Sequence, residues 1–389
     1  MKSFRVPRDI IFGWGSLSYL KKIQGNRAFI VTDPAVMEVG LLNKVQSYLQ
    51  QAGLEIQTFT EIKPDPSREI VEKGAKLMQV FKPDWIIALG GGSSIDAAKG
   101  MWIFYEYPDI TWEKVIERVP KLRKKARLIA ISTTSGTGSE ATSVAVITNR
   151  NINPHVKDMI ISREIGPDIA IADPELASTM PPGVTAATGM DVLTHAIEGY
   201  TSIIATEIDR ALALRAIQMV FRSLPKAYAN GRNKAAREDM HTASLMAGMV
   251  FTNSSLGIAH ALAHQLGSEL GIPHGLANSL MLPYVIKFNS IAVTELYAEI
   301  AAALNLSFNE NREAVDKLIK AIFQLQEDIG LPHTIKDYGI DEESFNNSVD
   351  NLAQNAINDL TAKTNPRVPT LQDMKNLYLT AYYGKDSYA

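Results

Sequence analysis

The 389-residue sequence contains no cysteine. That excludes disulfides, thiolate-bound zinc, cysteine-ligated iron-sulfur clusters and a thiol nucleophile, and it fits a reducing compartment. Charge of one sign is also lacking. With 39 basic and 42 acidic residues the net charge is -3, which offers no broad field to nucleic acid or to an anionic membrane. The one basic run, Lys121-Leu-Arg-Lys-Lys-Ala-Arg127, has no interleaved aromatics and precedes a strand-like segment, so it reads as solvated surface. Residues 1–9 hold no apolar core of signal-peptide length, and no window reads as long enough to cross a bilayer. Repeats and low-complexity segments are absent. A cytoplasmic protein acting on a small molecule is expected.

The length exceeds what one core usually organises, so two domains are expected. Apolar, β-branched runs at 27–33, 54–59, 84–89 and 128–133 read as buried strands, with further strands at 144–148, 159–161 and 169–172. Between them the helical period predicts one helix over 35–52, another from a Ser67 cap to 81, and helices over 92–105 and 111–118; Ser16 is expected to cap a helix over 17–23. Strand, turn and helix in succession mean a parallel sheet with crossovers. After Pro181-Pro182 the strand patterns stop, and helices are expected over 184–200, 207–223, 234–251, 256–270, 274–288, 293–304 and 313–329. The domain boundary is placed at the double proline, giving an α/β domain over 1–181 and an all-helical domain over 182–389. The tail 382–389 is expected to fray.

Two places carry chemistry. The first is the glycine turn Gly90-Gly-Gly-Ser-Ser, which follows a strand and opens a helix, so backbone N–H groups and the helix N-terminus face an incoming phosphate. It departs from the usual dinucleotide fingerprint, with Ile95 where a third glycine is expected, and no Gly-Lys-Ser/Thr follows to make an ATP-type loop. Asp33, ending an earlier strand, is suited to bond a ribose 2′-hydroxyl and repel a 2′-phosphate. The small-residue loop Thr133-Thr-Ser-Gly-Thr137 adds hydroxyls at the same edge.

The second is a cluster of histidines. Of the seven in the chain, His195 follows Asp191 by four residues, His264 follows His260 by four, and His274 sits in a break between Pro273 and Gly275. Residues four apart share a helix face. Asp191, His195, His260 and His274 can close round one divalent ion; one carboxylate and three imidazoles suit Fe(II), Zn, Mn, Co or Ni. His264 is open to three roles: a ligand in place of His274, an outer partner, or a proton carrier. His155, His241 and His333 read as ordinary packed or surface histidines.

The stretches Gly90-Gly-Gly-Ser-Ser-Ile-Asp-Ala-Ala-Lys99, Thr133-Thr-Ser-Gly-Thr-Gly-Ser-Glu140, Met180-Pro-Pro182, Thr188-Gly-Met-Asp-Val-Leu-Thr-His-Ala-Ile-Glu-Gly-Tyr200 and His260-Ala-Leu-Ala-His-Gln-Leu-Gly267 with Pro273-His-Gly-Leu-Ala-Asn278 occur in this order. Together they resemble the iron-dependent alcohol dehydrogenase family over essentially the whole chain. The resemblance implies a Rossmann-like α/β domain and a helical domain in a dehydroquinate synthase-like architecture, with the active site in the cleft between them. It implies that Asp191, His195, His260 and His274 hold the metal, by preference Fe(II), and that His264 lies beside the nicotinamide. It carries cofactor contacts to Asp33, Gly91, Gly92, Ser93, Thr133 and Thr134, and more loosely to Asp65, Ser143, Lys157 and Leu176. The Ser-Gly-Thr-Gly-Ser-Glu loop looks most like butanol and propanol dehydrogenases and the alcohol dehydrogenase half of aldehyde-alcohol dehydrogenases.

The activity implied is reversible hydride transfer between a nicotinamide and a short-chain primary alcohol or aldehyde on the metal, with NAD expected over NADP because of Asp33. A homodimer or larger homo-oligomer is implied as well. A lyase of the dehydroquinate synthase type is the alternative, but it needs basic side chains for a sugar phosphate, and 188–200 and 254–278 contain neither Lys nor Arg. A glycerol or diol dehydrogenase is a further alternative on substrate alone.

Overall fold

Successive residues of a strand face opposite ways, and in the first half of the chain both faces are apolar. Phe29, Val31, Ile86, Ala88, Leu128 and Ala130 enter one core, and the intervening Ala28, Ile30, Ile87, Leu89, Ile129 and Ile131 enter another. Such strands are stable only inside a sheet covered on both sides. The computed structural model, which describes residues 3–152 and 156–384, contains that sheet in the first of two compact units, Met1–Thr179 and Met180–Ala389.

The strands of the first unit are β1 (Asp9–Phe12), β2 (Arg27–Val31), β3 (Glu55–Phe59), β4 (Trp85–Gly90), β5 (Arg127–Ser132), β6 (Val144–Asn149), β7 (Val156–Ile161) and β8 (Ile169–Ala172). Six of them pair in parallel in the order β1-β8-β5-β4-β2-β3. The helices are α1 (Pro34–Glu38), α2 (Leu41–Gln51), α3 (Arg68–Phe81), α4 (Gly92–Glu106), α5 (Trp112–Glu117) and α6 (Pro174–Ala177). The chain runs outward from β2 to β3 and returns to β4 on the other side of β2. The strand order therefore reverses between β2 and β4, where ligands of open α/β sheets bind.

Four local expectations are corrected. The helix expected over 35–52 is two helices, because Gly40 adopts φ 77° and restarts the chain as α2. Ser16 is not a cap: it begins a 3-10 turn, Ser16–Lys22, and Asp173 accepts from Gly15 N (3.2 Å) and Leu17 N (3.0 Å) instead. Ser67 stands at the N-cap position of α3, but its side chain accepts no bond from the helix. β6 and β7 leave the main sheet as an antiparallel pair, with Ala145, Ile147 and Ile160 in one of the sheet cores and Lys157 and Ile161 exposed, while Thr148 is buried where its N–H donates to Pro66 O (2.8 Å).

The second unit is helical throughout its described residues: α7 (Pro182–Thr201), α8 (Glu207–Ala229), α9 (Lys234–Ser254), α10 (Ile258–Leu270), α11 (His274–Ala303), α12 (Asn311–Asp328), α13 (Ile335–Tyr338), α14 (Glu342–Ile357) and α15 (Leu371–Tyr383). One core joins α7, α8, α9 and α12, and a second joins α10, α14 and α15; α11 supplies Leu282 and Ile286 to the first and Leu280 and Val285 to the second. The two helices expected over 274–288 and 293–304 are the two arms of α11, which meet at a kink where Val293 leaves helical geometry (φ −139°, ψ 41°). α8 continues beyond 223 through Pro225, whose lost hydrogen bond is offset by packing of Leu224 and Ala227 on either side. The reading that no window is long enough for a membrane also needs correction. α11 passes on length and composition, but 67% of its apolar window is buried in the unit, and two cores account for that apolarity. His155 and residues 385–389 lie outside the described residues, so the expectations on them meet no counterpart.

Candidate metal centre and cofactor edge

Helix α7 begins at the second proline of the pair and is anchored by Arg237 of α9. The buried guanidinium donates to Met180 O (2.9 Å), Thr185 Oγ1 (2.9 Å) and Gly231 O (2.9 Å), which fixes the first turn of α7. Two turns on, Asp191 and His195 project from one face. Helix α10 brings His260 to the same place, and the break 271–273 turns the chain so that His274 opens α11 beside them. Gly275 permits this approach: a Cβ there would collide with Ala187 O of α7.

The four side chains meet. Asp191 Oδ1 lies 3.9 Å from His195 Nε2, 3.6 Å from His260 Nε2 and 3.5 Å from His274 Nε2. One ligand atom from each falls within 4.8 Å of all the others. Asp191, His195 and His260 are buried, whereas the His274 side chain is 44% exposed. Burial alone would raise the Asp191 carboxyl, but the imidazoles of His195, His274 and His260 carry it well below the usual range. Burial alone would lower His260, yet the nearby Asp191 carboxylate and the hydrogen bond to Glu198 raise it to about 9. Both shifts are those of a carboxylate and imidazoles held against one another out of water.

Three further residues complete the surroundings. Glu198, one turn past His195, accepts at Oε2 from His260 Nδ1 (2.6 Å) and at Oε1 from Ala259 N (2.6 Å). Asn278 Nδ2 donates to Asp191 Oδ1 (2.8 Å). His264 Nδ1 is 2.8 Å from Asp359 Oδ2, and Asp359 Oδ1 accepts from Thr361 N and Oγ1. Sequence reasoning missed all three. Glu198 carried a signal, standing seven residues after Asp191 on the same helix, and Asn278 stands four after His274. Asp359 carried none, since it reaches His264 across 95 residues of chain.

The donor set fits a divalent ion. His260 Nε2 is buried and makes no hydrogen bond, while its Nδ1 is occupied by a carboxylate, so the free lone pair faces Asp191. One carboxylate and three imidazoles are borderline ligands suited to divalent first-row metals.

In the first unit, Asp33, the glycine turn and the threonine loop follow β2, β4 and β5 at the carboxyl edge of the sheet. Gly90 ends β4 with φ 150°, Gly91 precedes α4 and Gly92 opens it. Asp33 follows β2; its Oδ1 accepts from Val36 N (3.1 Å) and its Oδ2 from Ser94 Oγ (2.9 Å), across the point where strand order reverses. Thr133 N donates to Gly90 O (3.0 Å), and Ser132 Oγ donates to Thr134 O (2.8 Å). Ser93 lies in the first turn of α4, half-buried. Asp65, at φ 54°, and Lys157 meet in an exposed ion pair of 2.7 Å. Ser143 O accepts from Ser162 N (3.0 Å) at the base of the β6–β7 pair. Leu176 is not at an open surface: its side chain is 1% exposed, within one of the two sheet cores.

The sequence signature of the iron-containing alcohol dehydrogenases matches residues 7–174, and that of the C-terminal region of the Fe-containing alcohol dehydrogenase family matches residues 185–382. The NADPH-dependent butanol dehydrogenase of Clostridium saccharobutylicum is 46% identical, with 99% of both chains covered. The bifunctional aldehyde-alcohol dehydrogenase of Escherichia coli is 39% identical over 98% of this chain, which spans 46% of that relative's length. Among solved structures, a 1,3-propanediol oxidoreductase superposes with a TM-score of 0.93 at 36% identity, covering 98% of this chain and 100% of the other. The iron-containing alcohol dehydrogenase of Thermococcus thioreducens gives 0.90 at 36% identity, covering 98% and 100%.

Proposed function

The chain belongs to the iron-containing alcohol dehydrogenase family and is a metal-dependent, nicotinamide-linked alcohol dehydrogenase; on that premise we propose that Asp191, His195, His260 and His274 hold one ferrous ion and that the enzyme interconverts short-chain primary alcohols and aldehydes with NAD(H). The observation that carries the ligand assignment is the convergence of one carboxylate and three imidazoles on a point of common reach. The substrate class is supported by the butanol dehydrogenase and the propanediol oxidoreductase to which the chain is similar.

A divalent ion held there supplies a Lewis acid that makes a substrate hydroxyl more acidic, or an aldehyde carbonyl more electrophilic. The protein's own residues do the rest. Glu198 accepts the Nδ1 proton of His260 and so presents Nε2 as the ligand atom. Asp359 does the same for His264, which leaves His264 Nε2 to take the proton given up by the alcohol while Asp359 stabilises the resulting imidazolium. The N–H groups of Gly91, Gly92 and Ser93 at the start of α4 receive the cofactor's phosphates, with Thr133 and Thr134 beside them. Asp65, Ser143, Lys157 and Leu176 are proposed as further contacts, Leu176 through its backbone.

NAD is preferred on the strength of Asp33. Its carboxylate occupies the carboxyl end of β2, where it accepts from a ribose 2′-hydroxyl and repels a 2′-phosphate. The relative named as NADPH-dependent stands against this reading, so both cofactors belong in the test. Metal-stripped protein is supplied anaerobically with Fe(II) or Zn(II) and with NAD or NADP, then with ethanol, butanol, 1,3-propanediol or glycerol, and reduced nicotinamide is followed by absorbance. Fe(II)-dependent reduction of NAD by butanol is the expected result. Turnover without metal, or only with NADP, overturns the corresponding assignment.

A further inference from the structure

Helix α4 carries a lysine that neither the metal centre nor the cofactor contacts use. Lys99 is 0% exposed. A buried ammonium must find acceptors, and this one finds four oxygens: Ser139 O (2.8 Å), Ser139 Oγ (3.1 Å), Thr142 Oγ1 (2.9 Å) and Val144 O (2.7 Å). Asp96, one turn earlier, stands 3.9 Å from the ammonium. Its Oδ1 accepts from Ser139 Oγ (2.7 Å) and its Oδ2 from Val146 N (3.0 Å). Burial pushes the Lys99 ammonium down to about 8, against the pull of Asp96 and Glu140, so it remains charged at neutral pH.

Every one of these bonds runs from the first turns of α4 to residues 139–146. That segment leaves the threonine loop, and the loop's other end is tied to the glycine turn by Thr133 N to Gly90 O (3.0 Å). Between the two ties the loop lies directly on the turn. A Cβ at Gly91 would stand 3.3 Å from Thr134 Cγ2, and one at Gly92 would stand 3.0 Å from Thr137 Cγ2. Two segments 40 residues apart are thereby fixed against each other, and Lys99 supplies the charged half of the fastening.

We propose that Lys99, with Asp96, is a positioning residue for the dinucleotide: an internal ammonium that locks the threonine loop (133–137) onto the glycine turn (90–93), so that the cofactor's phosphate pocket is formed before the cofactor arrives. This rests on the reading of that edge as the cofactor site. A pocket built in advance spares the ligand the cost of ordering it, so the fastening acts on cofactor affinity more than on the chemical step.

The test uses metal-loaded enzyme and titrates NADH by its fluorescence, with metal content and the KM for butanol measured alongside. Lys99→Met keeps the side chain's length without its charge, and the expected loss of NADH affinity is about tenfold at unchanged metal content and butanol KM. Thr142→Val removes a single acceptor and should fold whatever the lysine variant does; about threefold weaker NADH binding is expected. Lys99→Ala leaves an oxygen-lined cavity, and added ammonium or methylammonium is expected to restore NADH affinity where sodium does not. Unchanged NADH affinity in Lys99→Met or Thr142→Val overturns the proposal. So does a loss of metal and NADH together that ammonium fails to reverse, because a purely structural lysine behaves that way. If the wild-type enzyme binds neither NADH nor NADPH, the cofactor reading falls and takes this proposal with it, whereas wild-type binding with unaffected variants removes only the positioning role.

Discussion

Glu198 Oε2 lies 2.6 Å from His260 Nδ1, and the same carboxylate accepts from Ala259 N at 2.6 Å. One residue of α7 thus orients a proposed ligand of α10 and satisfies a first-turn amide of the helix that bears it. The α10 N-cap is Gly257, which has no side chain to do so.

Glu198→Gln should therefore weaken metal binding by about 10- to 100-fold, because an amide no longer fixes which imidazole nitrogen is free. Competition against a chelator on the purified protein measures this without turnover. An unchanged metal affinity would mean that His260 is not a ligand, or that Glu198 only caps α10.

Asp33→Gly should raise the kcat/KM for NADP relative to NAD, as the charge facing a 2′-phosphate is removed. It also deletes the cap on Val36 N and the acceptor of Ser94 Oγ, and because glycine is itself tolerated at an N-cap, stability should fall by only a few tenths of a kcal/mol for the cap. Steady-state kinetics with both cofactors separate the two effects. A cofactor ratio that does not move refutes the role given to Asp33.

Glu140 provides a pH signature unrelated to the metal. It is 0% exposed, and burial raises its carboxyl to about 7 despite hydrogen bonding and Lys99. The folded protein then holds a proton that the unfolded chain releases near 4.5. The stability this represents is fully present below the unfolded value and is lost as pH rises through about 7. Lys99 has the opposite sense and a higher window: its folded value of about 8 lies below the unfolded 10.5, so the cost of burying its charge is present below pH 8 and relieved above it. Denaturant melts from pH 4.5 to 7.5 should show wild type losing on the order of 2 kcal/mol relative to Glu140→Gln, which cannot titrate. Parallel curves for the two proteins would contradict a protonated Glu140.

Gly275→Ala should damage the metal centre without touching a ligand. The new Cβ meets Ala187 O, a backbone atom that cannot turn aside, so α11 must shift away from α7 and carry His274 with it. Metal affinity should drop by at least about tenfold, with a stability loss of about 1–3 kcal/mol. Chelator competition and a thermal melt together measure both.

Much of this was legible in the sequence for a physical reason. Two proposed ligands, Asp191 and His195, sit at i, i+4 on one regular helix, and His260 is followed at the same spacing by His264, a spacing that fixes direction as well as order. The buried strands declare themselves by apolar runs that include β-branched residues, as after the leading arginine in Arg27–Val31 and Arg127–Ser132. What stayed hidden depends on contacts between distant segments. Asp359 reaches His264, and Asp173 displaces Ser16 as the partner of the first turn, and neither residue has a local pattern that announces it. The expected helix runs through Gly40 because the apolar period outweighs one glycine's preference for positive φ, whereas α8 is expected to stop before Pro225 because a proline is read without the packing around it. The hairpin of β6 and β7 resembles strands of the main sheet until its separate antiparallel pairing is seen.

The exposure of His274 has a kinetic meaning. Asp191, His195 and His260 are enclosed, and the one exposed side chain of the four belongs to His274, the first residue of α11. On the proposed ligand assignment, the side of His274 is the exposed one for an ion entering or leaving, and helix ends are where helices open first. The residence time of a metal held there is then expected to follow how often the leading turn of α11 comes undone, and a change that stiffens this turn is expected to lengthen it while leaving the four proposed ligands in place.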